Sequence, residues 1–207
     1  MEKRITQDEV EAVSGGTHAA TTRSNRMGSE KYGIVQLTPQ AQNVEATQGV
    51  KWLFRGNAVD VDNADAIVDL AAAMGFKKPS IQASTSAFGV SGGKGLEAAA
   101  TKKGIKAVNV ESHKEAGTDL TAQVLAAKSA GADLLLTWAQ GVDVALFAKT
   151  KKQLGFDVPL FGIDAAMHKA APPIAGDAYE GVTAVTYVDT DRPEVNDLLF
   201  NRFVKAI

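Results

Sequence analysis

Short runs of aliphatic and β-branched residues alternate along this chain with longer, alanine-rich stretches of helical period, and glycine or a polar turn separates one from the next. That alternation constrains the fold more than any other feature. A chain that repeats strand, helix, strand covers its strands with helices, and the crossovers make neighbouring strands parallel. Strand-like runs lie at 11–14, 33–37, 51–55, 80–84, 105–110, 133–138, 158–162 and 182–187. Helix-like stretches lie at 2–9, 19–31, 61–74, 89–103, 118–130, 142–154 and 194–206. The expected class is therefore α/β with parallel sheets.

Several boundaries carry their own markers. In AAAMGFKKP, Gly75 suits a helix C-cap and Pro79 forbids helix just beyond it. In GTDLTAQVLAAKSAGAD, Thr118 or Asp119 can cap the start and Gly131 the stop. Between them Leu120, Val124, Ala127 and Ser129–Ala130 fit one buried face. ADLLLTWA reads as a strand buried on both sides, as a parallel sheet requires. Pro79 and Gln82 are unfavourable in a central strand over 80–84. The segment 38–50, TPQAQNVEATQGV, is polar and aperiodic, and its length as a loop suggests a binding role.

Composition narrows the function. Of 207 residues 45% are hydrophobic, enough for a sizeable core, and the formal net charge is -2. Nucleic acid or an anionic membrane surface needs a basic face, so neither is an expected partner. The absence of cysteine removes disulfides, thiolate zinc sites and a cysteine nucleophile. No apolar run approaches the ~20 residues that span a bilayer. The charged opening MEKRITQDEVEA is not a signal peptide. His18, His113 and His168 are scattered without acidic residues at metal-ligand spacing, so surface roles are expected and no metal site. The runs Lys102–Lys103 and Lys151–Lys152 close helices, where cations complement the dipole.

Seven stretches, taken in order, point to a family: VSGGTHAATT (13–22), YGIVQLTPQAQN (32–43), KWLFRGNAVDVDNADAIVDLA (51–71), SAFGVSGGKGLEAAATKKG (86–104), EAGTDLTAQVLAAKSAGADLLLTWAQG (115–141), KQLGFDVPLFGIDA (152–165) and GDAYEGVTAV (176–185). Together they resemble the type I periplasmic binding proteins, specifically the Leu/Ile/Val-binding group that feeds ABC transporters. The resemblance implies two flavodoxin-like lobes with parallel sheets, joined by crossing strands, with ligand held in the cleft between them. Residues 1–58 would be part of the first lobe, 59–184 the second, and 185–207 the return to the first. It also implies an opening strand and helix before residue 1 and a closing section after residue 207, so the chain is expected to be truncated at both ends. The implied role is that of a periplasmic, non-enzymatic capture protein, without cofactor, whose partners are a small ligand and the permease subunits of an ABC transporter. A sensing receptor or regulator of the same fold is the alternative.

Open parallel sheets hold ligands beyond the C-terminal strand ends, where helix N-termini offer unpaired N–H groups. A ligand carboxylate therefore fits the helix start after VSGG, at His18, Ala19, Ala20 and Thr21. The resemblance adds Gln40 and Gln42 from TPQAQN, then Phe88, Gln140 and Asp164 from the second lobe. Asp164 stands where the family has a Glu that accepts the ligand's α-amino group, and a cap for 165–170 is its other reading. Ala19 stands where a Ser is common, Gln40 and Gln42 where small residues and a hydroxyl occur, and Gln140 where Tyr occurs. These differences leave an amino acid, another small carboxylate, an amide or an aromatic acid open as ligand. Trp138 is either a wall of the pocket or part of the core.

One motif points elsewhere. Gly89-Val90-Ser91-Gly92-Gly93 matches G-x-S-x-G, the nucleophile elbow of serine hydrolases, with Asp164 and His168 following in a permissible order. The elbow needs a sharp turn directly after a strand, whereas Ser91 falls in the first turns of a helix and Thr85–Gly89 intervene. GVSGGKG lacks the phosphate-loop spacing, and GGTHAAT is not a dinucleotide fingerprint.

Overall fold

The computed structural model describes residues 12–14 and 19–186. Three strands, β1 (Ala12–Ser14), β2 (Val35–Thr38) and β3 (Leu53–Arg55), form one parallel sheet in the order β1-β2-β3. Helix α1 (Ala19–Tyr32) makes the crossover from β1 to β2 and packs on one face. The α1 side is unusually polar. Ser29 donates to Gln36 Oε1 at 2.7 Å, and Gln36 and Thr38 are buried there. On the opposite face the register partners Leu37 and Phe54 remain half-exposed.

The second sheet is larger. Strands β4 (Pro79–Ser84), β5 (Asn109–His113), β6 (Leu134–Trp138), β7 (Leu160–Ile163) and β8 (Thr183–Val185) are parallel and ordered β5-β4-β6-β7-β8. Renumbered from the first strand, that is the 2-1-3-4-5 order of flavodoxin-like sheets. Helices α2 (Asp60–Ala73) and α3 (Ala87–Lys102) cover one face; α4 (Thr121–Ser129) and α5 (Gly141–Gln153) cover the other. Alternation along β6 explains how both faces fill. Leu134, Leu136 and Trp138 enter the core under α2 and α3, while Leu135 enters the core under α4 and α5. A short helix α6 (Ala171–Ala175), flanked by 3-10 turns, leads into β8.

The expected strands and helices within the described residues are present, with informative shifts. Gly75 and Gly131 end α2 and α4 with φ of 89° and 70°, the left-handed region that favours glycine. The strand expected at 105–110 begins later, at Asn109. Ile105 instead closes the end of α3, its N–H donating to the Ala100 carbonyl at 2.9 Å while its side chain packs on the core. Pro79 and Gln82 prove compatible with a central strand. Pro79 sits at the first position of β4, and the buried Gln82 amide donates to Ser80 Oγ at 2.7 Å. In α4, Leu120, Val124 and Ala127 are buried as expected, but Ser129 and Ala130 are exposed because the helix ends there. The helices expected at 2–9 and 194–206, and the section beyond 186, lie outside the described residues.

Candidate functional site

Among the described residues the strands run parallel within each sheet, so the groups that follow their C-terminal ends collect at one edge of each sheet. In the second sheet the chain reverses direction between β4 and β6, the kind of switch point beside which open α/β sheets bind ligands. Phe88 follows β4 there and Gln140 follows β6. Phe88 is half-buried and its ring tilts against Trp138 at 5.9 Å between centroids. Trp138 is fully buried and belongs to the core. Gln140 is half-buried at the N-cap of α5, and its side chain makes no capping bond. The next residue, Gly141, lies so close to the turn after β7 that an added Cβ would stand 2.7 Å from the Ala165 carbonyl and 2.8 Å from His168 Cβ. The segments bearing Gln140 and Asp164 are thus in contact.

Asp164 opens a 3-10 turn directly after β7 and is half-buried. Its side chain is turned toward the first sheet. Gln42 Nε2 donates to Asp164 Oδ1 at 3.1 Å, across 122 residues of sequence. Gln42 is 5% exposed, and its Oε1 is buried without a hydrogen-bond partner among the described residues. The N-cap of that turn is Ile163, so Asp164 lies within its first turn and not at the cap.

The other first-sheet residues divide. Ala19, Ala20 and Thr21 form the first turn of α1, and His18 lies outside the described residues. Thr22, one residue on, shares a 3.2 Å hydroxyl contact with Thr38, which holds the beginning of α1 beside TPQAQN. Gln40 is exposed on that loop, and no hydrogen bond joins it to Asp164.

The serine motif has a packing explanation. A Cβ on Gly89 would stand 2.1 Å from the Ser84 carbonyl, and one on Gly92 would stand 2.0 Å from the Trp138 ring. These glycines let α3 lie against β4 and β6. Ser91 is the fifth residue of α3, and its hydroxyl donates to the buried Asp60 carboxylate at the start of α2. His168 is exposed, its Nδ1 accepting the Ala170 N–H at 3.3 Å.

The surface role expected for His113 is overturned. It is 3% exposed at the end of β5, edge-on to Phe147 at 5.1 Å, with Nε2 3.4 Å from Asp143 Oδ2. Nothing in NVESH alone marks the inward turn; burial alternates along β5 and ends inward at His113. Among the described residues no group of three or more His, Asp or Glu could hold a metal ion, and no helix is long and apolar enough to cross a membrane.

The sequence profile of the periplasmic binding proteins matches residues 1–207. The chain belongs to the periplasmic binding protein family. Solved structures share the type I fold. A leucine-binding protein from Thermotoga maritima superposes with a TM-score of 0.83 at 22% identity, covering 96% of this chain and 57% of that one. A periplasmic binding protein type 1 from Bordetella pertussis gives 0.77 at 25%, covering 86% and 50%. A solute-binding protein of an ABC transporter from R. palustris, in complex with 4-hydroxybenzoate, gives 0.74 at 17%, covering 82% and 47%. The chain therefore spans about half to three fifths of these structures. No curated protein sequence matches it.

Proposed function

We propose that this member of the family captures a small amino acid or a related carboxylate or amide between its two lobes, for delivery to the permease subunits of an ABC transporter in the periplasm. The lobes would be 1–58 and 59–184, with 185–207 returning to the first. The hydrogen bond from Gln42 to Asp164 carries the reading, because it joins polar groups of two separate sheets. A ligand entering here exchanges that direct contact for contacts of its own. Its donor group meets the Asp164 carboxylate and the buried Gln42 Oε1, a charge-assisted pairing. Its carboxylate meets the first-turn N–H groups of α1 at Ala19, Ala20 and Thr21, where the helix dipole favours an anion. Gln40, Gln140 and Phe88 complete the lining. Contacts to both lobes exist only in the closed form, so ligand shifts the population toward closure. The relatives in this fold include a leucine binder and a 4-hydroxybenzoate binder, so ligand chemistry follows the lining residues and not the fold.

Titration calorimetry with leucine, other amino acids, small amides and 4-hydroxybenzoate tests this. Binding of one class is expected, and Asp164→Ala should weaken a cationic ligand by about 2–5 kcal/mol, the cost of truncating one partner of a buried charge pair. Heat-silent titrations across the whole panel would sink the proposal.

A further inference from the structure

The loop from Pro39 to Trp52 joins two parallel neighbours, β2 and β3, and contains one 3-10 turn, Val44–Ala46. Loops of this length commonly run over the surface and are held at few points. Yet three successive carbonyls around Gln42 are held. Arg55, the last residue of β3, donates from Nη1 to the Ala41 carbonyl at 2.7 Å and from Nη2 to the Asn43 carbonyl at 3.0 Å. Between them, the Gln42 carbonyl accepts the Asp60 backbone N–H at 2.9 Å. Arg55 Nη2 also reaches Thr47 Oγ1 at 2.7 Å, just past the 3-10 turn. Burial lowers the Arg55 pKa from its ordinary value, and the nearby Asp60 carboxylate opposes that fall. Asp60 begins α2 and accepts the Ser91 hydroxyl from α3. The loop bearing Gln42, the end of the first sheet and two helices of the second therefore meet at Arg55 and Asp60.

We propose that Arg55 is a positioning residue of the ligand site: its planar fork fixes the backbone on both sides of Gln42, so that the Gln42 amide meets Asp164 across the two sheets. This rests on the reading of Gln42 and Asp164 as opposite halves of that site. The fork is essential to it. A lysine supplies one compact charge and cannot hold two carbonyls that flank a residue in fixed directions.

The test uses the whole chain with 15N in its side-chain amides. The Gln42 signal is identified by its loss in Gln42→Ala. Asp164→Asn should shift that signal in the chain that keeps Arg55, since Nε2 loses its carboxylate acceptor. In folded Arg55→Lys, checked by circular dichroism, the same Asp164→Asn change should leave the Gln42 signal where it was. An arginine that merely stabilises the fold would lower the melting temperature and leave the shift in place, and a full-sized shift in folded Arg55→Lys overturns the proposal. So does the absence of any Asp164-dependent shift in the unsubstituted chain. If Arg55→Lys does not fold, Thr47→Val removes one anchor of the guanidinium and keeps its charge: a reduced shift supports the proposal, an unchanged one overturns it. Titrating the same panel of amino acids, small amides and 4-hydroxybenzoate into the labelled chain separates the two readings. No response to any member of the panel, with an Arg55-dependent shift intact, removes the transport reading while the positioning of Gln42 stands.

Discussion

Tyr179 donates its hydroxyl to the Ala166 carbonyl from a half-buried position, and burial pushes its pKa up to about 12. An unfolded chain releases that proton near the ordinary value of 10.0. The folded state therefore gains from Tyr179 fully below about pH 10, and loses the gain as pH climbs through about 12. Tyr179→Phe should lower stability by about 1 kcal/mol at neutral pH, as for one net hydrogen bond. It should also flatten the fall in stability between about pH 10 and 12, followed by urea titration at several pH values. At this scale the sequence was least informative. Asp164 and Gln42 were both named from their segments, but nothing in either segment says that the two meet. His113 misled because a lone histidine in NVESH looks solvated, and only the packing of β5 on α5 turns it inward to Asp143 and Phe147.

Elements were far more legible, because the period of apolar residues depends on local geometry. The exceptions arose where an apolar residue served a cap instead of a strand, as Ile105 does at the end of α3. The glycines of GVSGG belong to this scale too. They read as a catalytic turn by pattern and act as clearance for a helix crossing Trp138 and Ser84. Gly92→Ala should cost about 3 kcal/mol or more, since its Cβ would stand 2.0 Å from a ring with no room to move in the core. Thermal denaturation checks this; a loss below about 1 kcal/mol would mean that α3 can shift off β6.

At the scale of the whole molecule, the Gln42–Asp164 bond joins the segments that follow strands of two separate parallel sheets. Gln42→Ala and Asp164→Ala should be non-additive in stability, with a coupling of about 1 kcal/mol for a half-buried, charge-assisted bond. A double-mutant cycle by urea denaturation measures it, and strictly additive losses would mean that the bond does not link the sheets in solution. Under the proposed capture role, these same two groups would part from each other to take hold of a ligand.

The order of strands and helices, the parallel class and the family were written in the linear chain, since each depends on residues within a turn or two of one another or on their order. The 2-1-3-4-5 arrangement of the second sheet, the burial of His113, the clearance at Gly92 and the approach of Gln42 to Asp164 were decided by tertiary structure. These depend on which surfaces of segments distant in sequence face one another, up to 122 residues apart for Gln42 and Asp164, and side-chain period carries no record of that distance.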